Sequence, residues 1–232
     1  MYSQARAADD CADLMKALGI GKAHLCGLSM GATAALEFAI RHPGKATALV
    51  IARRWRRRGD RSRGEETFQG GVRGVRPPHR DRRHAGDGRA LLHHSSARAT
   101  YRDKDPRGWA EFKQQFAGGS AKGHAMTMRG VQGARVPFFE RTAELEKIAE
   151  PMLVVIGDED DSTHGLAVHL KKHVPRSGVL ELPKCGHTMN LEEPAAFNAA
   201  LQDFLHAVEN DRWPAREEKG YTLIPPSPSP RA

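Results

Sequence analysis

The sequence predicts an α/β fold, a mostly parallel sheet flanked by helices, and three observations carry that prediction. Short apolar runs alternate with amphipathic helical segments, the pattern of a parallel sheet covered on both faces. One such run, from Ala23, passes through Gly27-Leu28-Ser29-Met30-Gly31 straight into a helical segment. Ser29, an acid within residues 158–161, and His187 each fall just past the end of a predicted strand. That is the edge at which open α/β sheets set their sites.

The elements follow in order. Residues 3–18 read as a helix capped by Ser3, with Ala7, Cys11, Leu14, Met15 and Leu18 on one face and Gly19 and Gly21 ending it. The first strand is expected over about 23–28 and the next helix over about 30–41, stopped by His42-Pro43-Gly44. A second buried strand covers 47–52. From Asp105, Trp109, Phe112 and Phe116 share one helical face, and a stretch containing Met126 and Met128 follows. These pieces read as a small helical lid between sheet strands, with the aromatics serving either as core or as pocket lining. A third strand over 151–156 ends at Gly157-Asp158-Glu159-Asp160-Asp161. Leu166, Val168, Leu170 and Val174 accompany a helix, and a fourth strand over 178–182 ends at Pro183-Lys184-Cys185-Gly186-His187. Asn190 is expected to begin the last helix, with Glu193 closing a capping box and Phe197, Leu201, Phe204, Leu205 and Val208 on one face.

Composition narrows the function classes. The chain has 232 residues and a formal charge of +8. Residues 53–98 alone hold fourteen Arg, no Lys and five acids, so the rest of the chain is close to neutral. The basic segment lacks helical or alternating periodicity and has few aliphatic residues. It reads as a solvated, disordered stretch or as an out-of-frame piece of a GC-rich gene. No aromatic platform accompanies its charge, so nucleic acid is not the expected partner. No apolar run is long enough for a transmembrane helix, and no secretory h-region is evident, so a cytoplasmic protein is expected with no membrane partner. Cys11, Cys26 and Cys185 are few and widely spaced, which predicts neither a disulfide framework nor a metal site.

The Gly27-to-Gly31 pentapeptide has the context of a nucleophile elbow: strand, sharp turn, helix. A Cβ at position 27 or 31 is expected to collide with neighbouring backbone, and Ser29 to sit at the apex of a strained turn. The helix start adds a positive dipole end and free N–H groups beside the serine oxygen. The chain order is Ser, then Asp, then His. Each residue alone has a plain structural reading; their order and strand-end placement together point to nucleophilic catalysis.

These motifs, with Gly186-His187 and Asn190-Leu191-Glu192-Glu193-Pro194, resemble the α/β-hydrolase superfamily, most closely its esterase and enol-lactone-hydrolase branch. The resemblance covers about 1–52 and 103–211. It implies Ser29 as nucleophile, His187 as base, Met30 as the oxyanion donor through its backbone N–H, and Asp160 as the acid, with Asp161 and then Asp158 behind it. A small ester or lactone is the implied substrate, contacted by Trp109, Phe112 and Met126, with no cofactor and no metal. The implied organisation is hydrolase core over 1–52, Arg-rich irregular segment over 53–100, helical lid over 101–150, core again over 151–211, and a disordered tail over 212–232. The expected architecture is therefore a partial α/β-hydrolase fold with a disrupted lid. Members of the superfamily carry several strands before the helix that opens this chain, and one early loop supplies a second oxyanion N–H. The chain thus reads as truncated at its N-terminus, with the strand at 23–28 exposed as a sheet edge open to self-association. An inactive hydrolase fragment serving as an interaction module is the alternative expectation.

Overall fold

The computed structural model describes residues 2–52, 98–160 and 163–216. The bulk of the Arg-rich segment, Asp161 and the end of the tail lie outside the described residues, as do the expectations that rest on them. Among the described residues four parallel strands form the sheet in the order β1-β2-β3-β4: β1 Ala23–Leu28, β2 Ala46–Ala52, β3 Met152–Gly157 and β4 Ser177–Leu182. Among the described residues β1 and β4 are its edges.

Strand periodicity divides the core into two layers. Leu49, Ile51, Met152, Val154 and Ile156 face one side, against α1 (Gln4–Ala17), α2 (Met30–Arg41) and α7 (His164–His173). Ala48, Val50, Leu153 and Val155 face the other, against the short α8 (Met189–Glu192) and the long α9 (Pro194–Glu209). Between β2 and β3 the described chain forms α3 (Ala99–Lys104), α4 (Pro106–Gly118), α5 (Ala121–Thr127), a π-helical turn over Met128–Gly133 and α6 (Thr142–Leu145). Pro106 opens α4 at the position where a missing N–H costs nothing, and Asp105 caps it by accepting from Gly108 N–H at 2.9 Å. Tyr101, Trp109, Phe112 and Phe116 form a separate aromatic cluster here, away from the two main layers. No helix among the described residues is long and apolar enough to cross a membrane.

Four expectations need correction. Ser3 does cap α1, accepting from Arg6 N–H at 3.0 Å, but the helix buries Gln4, Ala8 and Met15. Leu14 and Leu18 are 59% and 63% exposed, because packing on α2 selects a face turned away from them. The last helix starts at Pro194, not Asn190, and Asn190 lies inside α8. Proline at the first position makes that start favourable. Val168 points to solvent, and Ala167 takes the place in the core beside Leu166 and Leu170. The described start of the tail, residues 213–216, packs on the fold through Trp213. Trp213 stacks edge-on against Phe204 at 4.8 Å, donates to Arg176 O at 2.8 Å and accepts from the Arg176 guanidinium. Gly178 leaves room for that indole, since a Cβ there would come within 2.5 Å of it.

Candidate active site

The turn between β1 and α2 is built around one close approach. A Cβ on Gly27 would lie 2.3 Å from both the carbonyl carbon and oxygen of Gly31 and 2.5 Å from Ala32 N. Only glycine lets the last turn of β1 touch the first turn of α2. Gly31 is different from expectation: a Cβ there meets nothing within 4 Å. Its backbone, not its missing side chain, is what Gly27 accommodates. The compression places Ser29 at φ 55°, ψ −107°, a left-handed conformation that a non-glycine residue holds at a cost of about 1–3 kcal/mol. Ser29 N–H donates to Ala52 O at 2.6 Å, tying the turn to the end of β2. Thr33 N–H donates back to Ser29 O at 3.3 Å. Met30 opens α2, so its N–H has no acceptor within the helix and stands with the positive end of the dipole beside the serine.

The turns after β3 and β4 are zipped together. Asp158 N–H donates to Leu182 O at 3.1 Å and Glu159 N–H to Cys185 O at 3.0 Å, while the Asp158 carboxylate accepts from Cys185 N–H at 3.0 Å. The backbone N–H groups of Lys184 and Cys185 hold the Asp158 carboxyl below the usual carboxylate range. Gly157 permits this proximity, because a Cβ there would fall 2.2 Å from Cys185 O. Asp160 is fixed through its own backbone, its carbonyl accepting from Thr163 Oγ1 at 2.7 Å. Asp158 is thus a brace between two loops, and Asp160 is the acid that turns inward.

The structure brings Ser29, His187 and Asp160 into one hydrogen-bonded row. His187 Nδ1 lies 2.8 Å from Asp160 Oδ2 and His187 Nε2 lies 2.9 Å from Ser29 Oγ. An ionised carboxylate only accepts, so Nδ1 carries the proton and Nε2 presents its lone pair to the serine hydroxyl. His187 and Asp160 are 3% and 2% exposed, which removes competing water from the His–Asp contact. Such a row can lower the cost of taking a proton from Ser29 as its oxygen attacks an electrophile.

The expected substrate contacts sit differently from one another. Trp109 is 4% exposed, stacking on Phe112 at 5.6 Å and meeting Tyr101 edge-on at 5.9 Å. Phe112 is half-buried, while Met126 is exposed. Reasoning from the sequence passed over Glu192. This carboxylate is 5% exposed and accepts from the backbone N–H groups on both sides of His187. Its signal lay one residue away from the capping box assigned to Asn190 and Glu193.

Residues 2–200 match the model of the alpha/beta hydrolase family. A Bacillus subtilis (strain 168) protein provisionally named 2-succinyl-6-hydroxy-2,4-cyclohexadiene-1-carboxylate synthase is 27% identical over 222 residues, spanning 89% of this chain and 74% of that protein. The 3-oxoadipate enol-lactonase 2 of Acinetobacter baylyi is 25% identical over 198 residues, spanning 83% of this chain and 67% of the enzyme. Among solved structures, a thermophilic esterase from Thermogutta terrifontis superposes with a TM-score of 0.71 at 22% identity, covering 90% of this chain and 74% of the esterase.

Proposed function

The chain belongs to the alpha/beta hydrolase family, and from that premise we propose that it is a serine hydrolase of small carboxylic esters or lactones. The observation that carries the reading is the unbroken row from Asp160 Oδ2 through the His187 ring to Ser29 Oγ, with contacts of 2.8 and 2.9 Å. In the proposed cycle Ser29 Oγ attacks the substrate carbonyl while His187 Nε2 takes its proton. Asp160 holds the ring in the Nδ1–H tautomer and stabilises the imidazolium. The Met30 N–H donates to the oxyanion of the tetrahedral intermediate. The intermediate collapses to an acyl-Ser29 ester as His187 returns the proton to the leaving alkoxide. Water, deprotonated by His187, then releases the carboxylic acid.

The names of two relatives favour this substrate class, one an enol-lactonase and one an esterase. Phe112 and Met126 are the proposed contacts for the apolar part of the substrate, and Trp109 acts from within the aromatic cluster that holds Phe112. The test is hydrolysis of p-nitrophenyl acetate, p-nitrophenyl butyrate and a small lactone by the parent chain and by Ser29→Ala and His187→Ala. Turnover lost in both variants supports the proposal. Turnover that survives Ser29→Ala places the chemistry elsewhere, and a folded but inert parent leaves the interaction module as the better reading.

A further inference from the structure

We infer that Glu192 is a positioning residue that sets the His187 loop and ties it to α3, an inference that rests on the proposed role of His187. The carboxylate makes four hydrogen bonds from a buried position. Its Oε1 accepts from Thr188 N–H at 2.9 Å and from Thr188 Oγ1 at 2.8 Å. Its Oε2 accepts from Gly186 N–H at 2.7 Å and from Thr100 Oγ1 at 2.5 Å. Gly186 and Thr188 flank His187, so one rigid group grips the backbone on both sides of the imidazole.

The local logic begins as a helix cap. Thr188 precedes the first residue of α8, and Glu192 reaches back to its N–H while donating its own N–H to Thr188 O at 2.9 Å. That alone would stabilise one short turn. The second oxygen goes further, because Gly186 lies before the helix and Thr100 lies in α3, ninety-two residues away in the chain. Lys104, also in α3, pairs with Glu193 beside it. The loop that carries His187 is therefore fastened at three points: Asp158 and Glu159 from the β3 turn, and Glu192 from α8 with α3 behind it. A buried carboxylate with every lone pair engaged cannot drift without stranding a donor, which makes it a stiff support.

Glu192→Gln tests this with little change in volume. The amide keeps one acceptor oxygen, and its NH2 faces a backbone N–H that it cannot accept from, while the threonine hydroxyl beside it must turn to accept. The expected result is a folded variant whose kcat on p-nitrophenyl acetate falls about 10- to 100-fold with KM within about threefold, since a slight misplacement of the base acts on the chemical step. Thr100→Val removes only the tie to α3. It is expected to lower kcat less, and to add almost nothing when combined with Glu192→Gln. A readout independent of turnover is the low-field proton resonance of His187 Nδ1–H bonded to Asp160. It should shift or broaden in Glu192→Gln and stay in place in a surface control such as Lys22→Gln.

A folded Glu192→Gln chain with parental kcat and an unmoved His187 resonance overturns the inference. So does a rise in KM without loss of kcat. If Glu192→Gln fails to fold, Thr100→Val decides by the same two readouts. If the parent hydrolyses nothing but its His187 resonance moves in Glu192→Gln, the positioning role stands and the hydrolase reading fails.

Discussion

Replacing Gly27 by alanine should damage the site far more than its single methyl group suggests. The new Cβ would sit 2.3 Å from Gly31 C and O, about 1 Å inside ordinary contact distance, and the neighbours are backbone atoms that have no rotamer to change. Relief requires the start of α2 to move by roughly that distance relative to β1, and Ser29 is the hinge of the movement. Overpacking of this kind costs about 1–3 kcal/mol of stability. A displacement near 1 Å at the oxygen of Ser29, the proposed nucleophile, is worth about a hundredfold in rate. Gly31→Ala is the control for stability. Its Cβ enters open space within a helix, so it should leave the chain as stable or more stable by up to about 1 kcal/mol. Urea unfolding and ester turnover of both variants provide the assay. Gly27→Ala with parental stability and turnover would refute the close-approach argument.

Asp160→Asn should lower kcat by about ten-thousandfold by disturbing the His187 tautomer, whereas Asp158→Asn, which loosens a loop brace, should cost about tenfold or less; steady-state kinetics separates them, and the reverse ranking would exchange their roles. Burial, aided by the charge of Glu192, pushes the Cys185 thiol up to about 12 from the ordinary 9.0. Its unfolded form therefore releases a proton above pH 9 that the folded form keeps, and stability falls as pH rises from there towards 12, by at most about 1.4 kcal/mol per pH unit. Urea unfolding at pH 8.5, 9.5 and 10.5 should show a shallower fall in Cys185→Ala than in the parent, and parallel curves would refute the assignment. Among the described residues strand β1 bonds to β2 along one side only, and Cys26 is exposed on it. Self-association through that edge should raise the sedimenting mass with concentration and be weakened by Cys26→Lys; a mass independent of concentration in the parent refutes it.

The strands and the elbow were legible because local signals and tertiary needs coincide there. The pattern Ala-His-Leu-Cys-Gly-Leu followed by Ser-Met-Gly marks β1, the turn and the start of α2. Helix faces were less legible. At α1 and its C-cap, Leu14 and Leu18 satisfy helical spacing as well as Ala8 and Met15 do, and only the neighbouring helix decides which face is buried. Glu192 and Glu193 are adjacent and identical in type, so sequence alone gave no reason to prefer the one that turns inward to His187. Trp213 lies close to a proline-rich tail, and its anchoring depends on the absence of a side chain at Gly178, thirty-five residues earlier.

The most direct test of the central claim is to treat the purified chain with a fluorophosphonate and map the adduct by mass spectrometry. The expected result is a single adduct on Ser29, absent from Ser29→Ala and formed about a thousandfold more slowly in His187→Ala. A folded chain that takes no label, or one labelled at Ser29 at the same rate without His187, would contradict it.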